Sequence, residues 1–177
     1  MAQIVMRVVS GRFRGTRLDA VSGDKTRPTT DKVKEAMFSM LTPYLNGGEV
    51  LDLYAGTGGL SIEAVSRGMA HATLVDRQFQ AIKVIQNNIE KTHDIAAFTV
   101  IKSPAKQALE KFALARQQFD LVFLDPPYAK ETLRGDMRYM AENQLLAPQA
   151  IILVESDDDA NLPQEDQNFM SIQQKHY

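Results

Sequence analysis

Four consecutive residues, Asp-Pro-Pro-Tyr at positions 125–128, could hold an amine for a reaction. They follow an apolar run, 119–124, which is typical of a strand buried on both faces of a parallel sheet. Proline fixes φ and lacks an N–H, so Asp125, Pro126 and Pro127 form a stiff exit from that strand. The Asp125 carboxylate and the Pro126 carbonyl can accept hydrogen bonds from an exocyclic amine, and the Tyr128 ring can stack on a flipped base. The tetrapeptide therefore predicts a site that aims an amine lone pair at a methyl donor.

A second chemical feature is the strand–glycine–helix stretch at 50–60, VLDLYAGTGGL. Gly56 and Gly58 allow positive φ and let the backbone approach a ligand closely. The dinucleotide pattern G-x-G-x-x-G would need glycine at 61, where this chain has Ser61. The acid on the strand, Asp52, would repel a pyrophosphate but suits a ligand with an ammonium group.

The next strand ends on another acid, Asp76, which can accept hydrogen bonds from both hydroxyls of a ribose. Together with Asp52 and the glycine loop it predicts a pocket for a nucleoside that bears an amino acid, and S-adenosylmethionine is the common cofactor of that description. Tyr54 could line this pocket or pack in the core. The alternative reading is that the glycines only turn a strand into a helix and that Asp76 only caps the next helix.

Composition describes one ordinary globular domain of 177 residues, 44% hydrophobic and 24% charged. The chain has no cysteine and three scattered histidines, which argues against a disulfide framework and a metal site. No segment resembles a signal peptide or a membrane span, so we expect a cytoplasmic protein. Residues 1–46 carry eight basic and four acidic side chains, whereas the rest has a net charge of −6. This asymmetry indicates a local phosphate-binding surface or, equally, a solvated basic hairpin.

The hydrophobic pattern predicts a Rossmann-like, doubly wound and mostly parallel α/β sheet, with an N-terminal β-hairpin at 4–19. The hairpin and a helix from Asp31 to about Pro43 would form an RNA-facing segment, 1–46. The methyltransferase domain, 47–177, would complete one compact unit. The expected strands of that domain are 50–53, 72–76, 98–101, 119–125 and 150–155, with a possible short strand in NFMSIQ. The clearest helical patterns are at 79–89 and 131–146.

The four motifs VLDLYAGTGGLSIEAVSRG, DPPY, RVVSGRFRGTRL and TRPTTDKVKEAMFSML together resemble one family, from Arg7 to about Glu155. It is the family of bacterial 16S ribosomal RNA guanine-N2 methyltransferases of the RsmD type, a class I group that uses S-adenosylmethionine. The resemblance implies methylation of a guanine N2 amine, guanine 966 in the family, by a monomer. The partner would be 16S rRNA within the small ribosomal subunit or its assembly intermediate.

The resemblance also implies roles for single residues. The amine would lie against residues 125–128, the segment 27–34 would cover the cofactor pocket, and the basic hairpin would face RNA. The implied cofactor residues are Asp52, Tyr54, Gly56, Gly58, Asp76, Ser103 and Asp125. The implied RNA-binding residues are Arg7, Arg12, Arg14, Arg17, Arg27 and Lys34.

Two departures from the family pattern affect these expectations. After the third strand of the domain the family has a small polar residue and then Asn or Asp, whereas this chain reads Ser103-Pro104-Ala105. The contact to the adenine amino group would therefore fall to Ser103 or to backbone. The family also continues into a last strand beyond position 177, so we expect that this sequence is truncated.

Other functions remain possible at this level. DNA adenine-N6 methyltransferases share Asp-Pro-Pro-Tyr, but a sequence-selective enzyme usually carries a recognition domain, and the segment 1–46 before the glycine-loop domain has little room for one. A protein-glutamine or small-molecule N-methyltransferase would leave the basic N-terminus unexplained. Ser61 disfavours a nicotinamide dehydrogenase, and an RNA-binding module without catalysis would have no need for Asp125.

Overall fold

The computed structural model describes residues 6–21, 31–126, 130–154, 165–166 and 169–170. Its helices are α1 (Asp31–Leu41), α2 (Gly59–Ser66), α3 (Phe79–Glu90), α4 (Ala105–Leu114) and α5 (Lys130–Glu142). Its strands are β1 (Met6–Arg7), β2 (Arg17–Leu18), β3 (Glu49–Asp52), β4 (His71–Asp76), β5 (Phe98–Lys102), β6 (Phe119–Leu124), β7 (Leu146–Val154), β8 (Glu165–Asp166) and β9 (Phe169–Met170).

A five-stranded sheet with the order β5-β4-β3-β6-β7 forms the centre of the molecule, and all its neighbouring strands are parallel. The crossovers reverse direction at β3, which has β4 on one side and β6 on the other. This is the predicted doubly wound arrangement, in which ligands bind at the carboxyl ends of the strands next to the reversal point.

Successive residues of the central strand point to opposite faces, and each face has its own core. Val50 belongs to a cluster that includes the apolar sides of α1, α2 and α3. Leu51, the next residue, belongs to a second cluster with the apolar sides of α4 and α5. Both residues are fully buried, so the sheet is covered on both sides, as continuous apolar strands require.

The predicted strands are confirmed, with different bounds at the last βαβ unit. Helix α5 ends at Glu142 rather than near 146, since Gln144 has a positive φ of 60°. Strand β7 begins at Leu146 rather than 150, and its register against β6 shifts between Phe119 and Leu121. A strand does form within NFMSIQ, but β9 pairs only with β8, antiparallel and outside the main sheet.

The N-terminal hairpin, β1 paired antiparallel with β2, lies against α2. Ser66 makes most of the contact: its Oγ accepts from the N–H of Phe13 at 2.9 Å and donates to the carbonyl of Ser10 at 2.6 Å. The Ser66 carbonyl accepts from the N–H of Arg12 at 2.9 Å. Gly11 has a φ of +92°, and a Cβ there would lie 2.0 Å from the Ser66 carbonyl oxygen. Only glycine therefore allows the hairpin to approach α2 this closely.

A buried carboxylate fixes the same hairpin to α1 and α2. Glu63 is fully buried, and its oxygens accept from the N–H groups of Val9 and Ser10 at 2.9 and 3.0 Å. It also pairs with Arg67 at 2.8 Å and with Lys34 at 3.6 Å. These donors compensate the desolvation of one charge, and none of them is adjacent to Glu63 in sequence.

Gly11→Ala should destabilise the hairpin contact more than Gly15→Ala does. Both glycines have positive φ, +92° and +88°, so the two variants share the conformational cost. A Cβ at Gly15 meets no atom within 4 Å, whereas at Gly11 it meets backbone. We expect an additional loss of about 1–3 kcal/mol in Gly11→Ala, measured as the free energy of unfolding in urea. Equal losses in the two variants would contradict the described close approach.

Glu63→Gln should lower the free energy of unfolding by about 3 kcal/mol, because it leaves the buried ammonium of Lys34 without its carboxylate, whereas Arg67 keeps its pair with Glu35. Glu90→Gln is the matched control, since Glu90 is exposed on α3 and should change stability by less than about 0.5 kcal/mol. Denaturant titration of both variants tests this. A loss in Glu63→Gln no larger than in the control would show that the network contributes little.

Candidate functional site

Three acids come together where the central strands end. Asp52 is opposite Phe123 of β6 and Leu74 of β4 in the sheet register. Asp125 follows Phe123 by two residues, and Asp76 follows Leu74 by two residues. All three predicted acids therefore lie at one edge of the sheet, around the point where strand order reverses.

The glycine loop after β3 is held by hydrogen bonds to the end of β4. The N–H of Ala55 donates to the Val75 carbonyl at 2.9 Å, and the N–H of Gly56 donates to Asp76 Oδ2 at 3.0 Å. The other oxygen of Asp76 accepts from the N–H of Gln78 at 2.9 Å, at the start of α3. Asp76 is half-buried, so it fixes the loop and still presents lone pairs to the crevice.

The two predicted loop glycines have different requirements. Gly58 has a φ of +81°, and a Cβ there would lie 3.1 Å from the Leu74 side chain. Gly56 has a φ of +59°, and a Cβ there would meet no atom within 4 Å. Gly58 thus serves close packing of the loop on β4, while the space beside Gly56 is open.

Asp52 is buried at the end of β3, with 4% of its surface exposed. Its Oδ2 accepts from the Ser61 hydroxyl at 2.7 Å, and Ser61 is fully buried on α2. The residue that breaks the dinucleotide pattern is therefore a hydrogen-bond partner of the acid in the same motif. Sequence reasoning noted Ser61 only as a missing glycine.

Ser103 follows β5 and lies beside the end of β4. Its N–H donates to the Asp76 carbonyl at 3.0 Å, and its buried hydroxyl donates to the Pro104 carbonyl at 2.8 Å. The hydroxyl proton is thus engaged within the turn, and the oxygen retains a lone pair for an amino group.

Tyr54 packs against the core on the α4 and α5 side and also has a polar partner. Its hydroxyl donates to Asp136 Oδ2 on α5 in a short hydrogen bond. Burial raises the pKa of Asp136, and the hydrogen bond from Tyr54 opposes that rise. Burial also raises the pKa of Tyr54, as does its acidic partner. The sequence left open whether Tyr54 lines the cofactor pocket or packs in the core. In the structure it lies between the glycine loop and the core.

The predicted catalytic tetrapeptide is described in part. Asp125 is exposed and Pro126 is half-buried, directly after β6. Pro127 and Tyr128 lie outside the described residues, as does Arg27 of the predicted RNA-binding set.

Four of the predicted RNA-binding arginines lie on the hairpin and are exposed: Arg7, Arg12, Arg14 and Arg17. Arg7 pairs with Asp31 at 2.8 Å, and Arg12 pairs with Asp94 at 2.6 Å while its guanidinium lies over the Phe13 ring. A cavity of about 280 Å³ beside the hairpin is lined by Arg7, Val8, Val9, Arg14, Gly15, Asp31 and Glu35.

Lys34 corrects the prediction of a surface cation. Its side chain is 4% exposed, and its ammonium donates to the Arg7 carbonyl at 2.8 Å and pairs with Glu63. Burial lowers the pKa of Lys34, although Glu63 opposes that effect. This lysine therefore anchors α1 to the hairpin, and it cannot contact RNA from this position.

Asn88 is another functional candidate that the sequence analysis missed. It is fully buried on α3 and exchanges two hydrogen bonds with the backbone of Asp19, at the end of the hairpin. Its Nδ2 also donates to the Thr57 carbonyl of the glycine loop at 2.9 Å. An asparagine within the apolar face of α3 was the available signal, because a buried amide must find partners.

The described residues contain no group of three or more His, Cys, Asp or Glu side chains that could hold a metal ion. Within the same part of the chain, no helix is long and apolar enough to cross a membrane. Every buried side-chain nitrogen or oxygen described there has a hydrogen-bond partner.

Comparisons with known proteins extend these observations. A family model described as "Conserved hypothetical protein 95" matches residues 6–177. YlbH of Bacillus subtilis, provisionally described as an rRNA methyltransferase, is 43% identical over 90% of this chain and 86% of its own. Ribosomal RNA small subunit methyltransferase D of Escherichia coli K12 is 33% identical over 89% of this chain and 78% of its own.

A solved structure is also similar to this chain. A conserved hypothetical protein from Streptococcus pyogenes is 47% identical, with a TM-score of 0.70 over 75% of this chain and 81% of its own. The motifs predicted an RsmD-type family, and both the family match and the named relatives confirm it. The chain therefore belongs to the family described as "Conserved hypothetical protein 95".

Proposed function

We propose that this protein transfers a methyl group from S-adenosylmethionine to the N2 amine of a guanine in 16S rRNA of the small ribosomal subunit. One observation carries the proposal: the strand that leads into Asp125 pairs directly with the strand that leads into the glycine loop. An amine acceptor and a cofactor loop are thereby neighbours at one sheet edge. The relatives named for small-subunit rRNA methylation support the substrate class.

The pocket residues fit such a cofactor. Backbone at Gly56 borders open space, which suits close approach of the methionine part. Asp76 has spare lone pairs for the ribose hydroxyls, and Ser103 lies next to it for the adenine edge. Asp52, oriented by Ser61, supplies negative charge toward the ammonium end. The cofactor itself would supply an electrophilic methyl carbon on a sulfonium sulfur.

Catalysis by this chain would consist mainly of positioning. The Asp125 carboxylate and the Pro126 carbonyl accept the amine N–H bonds, which favours a pyramidal nitrogen with its lone pair aimed at the methyl carbon. The nitrogen–carbon bond forms as the carbon–sulfur bond breaks, and the electron pair of that bond stays on sulfur. The methylated ammonium then releases one proton to solvent. Tyr128 would stack on the flipped base and hold its plane.

The hairpin is the proposed RNA surface. Exposed Arg14 and Arg17 can contact phosphates directly, and Arg7 and Arg12 can exchange their exposed carboxylate partners for phosphates. The small size of this surface suits an enzyme that recognises the shape of structured RNA.

Asp125→Ala and Asp125→Asn should each lower single-turnover methyl transfer by about 100-fold or more, because the amine loses its carboxylate acceptor. Affinity for S-adenosylhomocysteine should fall far less than the rate does. The measurement uses tritiated cofactor and small ribosomal subunits from cells that lack the endogenous enzyme. Glu142→Gln, which removes an exposed carboxylate at the end of α5, should leave both quantities unchanged.

Equal label in wild type and Asp125→Ala would refute the catalytic role of Asp125. Digestion of the labelled RNA identifies the methylated nucleoside. Label on adenine, or on naked DNA, would refute the proposed substrate and favour the DNA adenine-N6 alternative.

Asp76→Asn should weaken binding of S-adenosylhomocysteine by about tenfold or more, because a carboxylate acceptor for the ribose hydroxyls is lost. Wild type should discriminate against the 2′-deoxy analogue, and the variant should lose most of that discrimination in calorimetric titrations. Asp120→Asn is the control, since Asp120 also accepts a backbone N–H, from Glu49 at 2.8 Å, but at the opposite edge of the sheet. If Asp76→Asn discriminated against the 2′-deoxy analogue as strongly as wild type does, the ribose would not bind at Asp76.

A further inference from the structure

One polar pair at the sheet edge, half-buried Tyr54 and buried Asp136, has no part in the chemistry proposed above. Tyr54 donates its hydroxyl proton to Asp136, and only 9% of the surface of Asp136 is exposed. The two residues are 82 positions apart in the chain. Their contact therefore joins two segments that local structure does not connect.

Those two segments are the walls of the proposed active site. Tyr54 lies between the end of β3 and the glycine loop, two residues before Gly56. Asp136 lies in the second turn of α5, the helix that begins at Lys130 after the segment 125–128. The hydrogen bond thus connects the residue just before the glycine loop with α5, the next described helix after Asp125 in the chain.

An apolar pair would cover the same core surface without the cost of burying a carboxyl group. The neighbours of Asp136 on the inner side of α5, Leu133, Met137 and Met140, are buried and apolar. Their dispersion contacts are not directional, so they specify the position of α5 on the sheet less sharply than a hydrogen bond does. The hydrogen bond between Tyr54 and Asp136 is directional, and it fixes one distance between α5 and the end of β3.

We infer that Tyr54 and Asp136 act as a positioning pair that sets the distance between the glycine loop and the Asp125 segment. The inference rests on the proposed methyl transfer. Tyr54 and Asp136 would affect that reaction through other residues, without touching the substrate. In-line attack requires the amine and the methyl carbon to be held within a narrow range of distances, and a displacement of about 1 Å costs up to about 100-fold in rate. Loss of the pair should therefore lower the transfer rate more than cofactor affinity.

The test compares Tyr54→Phe, Asp136→Leu and the double variant in single-turnover methyl transfer to unmethylated small subunits. Each single variant should be slower by about 10-fold to 100-fold, and the double variant should be no slower than the slower single one, because all three lack the same bond. Affinity for S-adenosylhomocysteine should change by less than about threefold. Tyr139→Phe is the matched control, since Tyr139 packs on the same helix and its hydroxyl makes no hydrogen bond within the described residues.

Several outcomes would overturn the inference. An unchanged rate in Tyr54→Phe would do so, as would losses that add in the double variant or that appear equally in Tyr139→Phe. If the rates of the variants fell only in proportion to their melting temperatures, the pair would have a structural role and no positioning role.

A wild-type protein that methylates no RNA would instead refute the proposed function. Hydrogen exchange then tests the pair without RNA. Addition of S-adenosylhomocysteine should slow amide exchange in α5 of wild type and of Tyr139→Phe, but not of Tyr54→Phe. Equal slowing of amide exchange in all three proteins would overturn the inference independently of the proposed function.

Discussion

The parallel pairing of β3 with β6 is the constraint on which the proposed site depends. Residues at the end of β3 are opposite residues near the end of β6, so the glycine loop and the Asp125 segment emerge side by side. The pairing is maintained by cores on both faces of the sheet, and each face is closed by helices. Packing far from the edge thus sets the distance between the two reacting groups.

Buried polar side chains fix the conformation of the glycine loop, which the sheet alone does not determine. The sheet register determines where each loop starts, but a glycine-containing loop can adopt many conformations. Asp76, Ser61 and Asn88 each bind a different part of the glycine-loop region, through the Gly56 N–H, Asp52 and the Thr57 carbonyl. Asp76 and Asn88 contact loop residues 20 and 31 positions away, Ser61 is nine positions from Asp52, and each contact satisfies a polar group near the sheet edge. The same interactions that stabilise the edge therefore also shape a cofactor pocket.

The sequence predicted the strands, the glycine loop and the acids at the edge because these depend on local patterns. Continuous apolar runs indicate buried parallel strands, and the position after a strand indicates the site edge. Partners across the fold were not predictable, since neither Asp136 nor Asn88 has a local motif that identifies Tyr54 or Thr57. Lys34 did have a signal: it occupies the first position of a buried stripe with Met37, Phe38 and Leu41, at helical spacing. A lysine on such a stripe indicates a buried ion pair at least as well as an RNA contact.

The position of Lys34 changes how the charge of the hairpin should be understood. Exposed pairs such as Arg7 with Asp31 are worth only about 0–1 kcal/mol, so a phosphate can replace the carboxylate at little cost. The buried pair of Lys34 with Glu63 cannot exchange in this way, because removing either partner leaves a desolvated charge. The basic residues of the N-terminal segment therefore divide into an exchangeable surface and a fixed anchor. The anchor holds the hairpin backbone on α2, and that rigidity would let the exposed arginines present a defined shape to the RNA proposed as substrate.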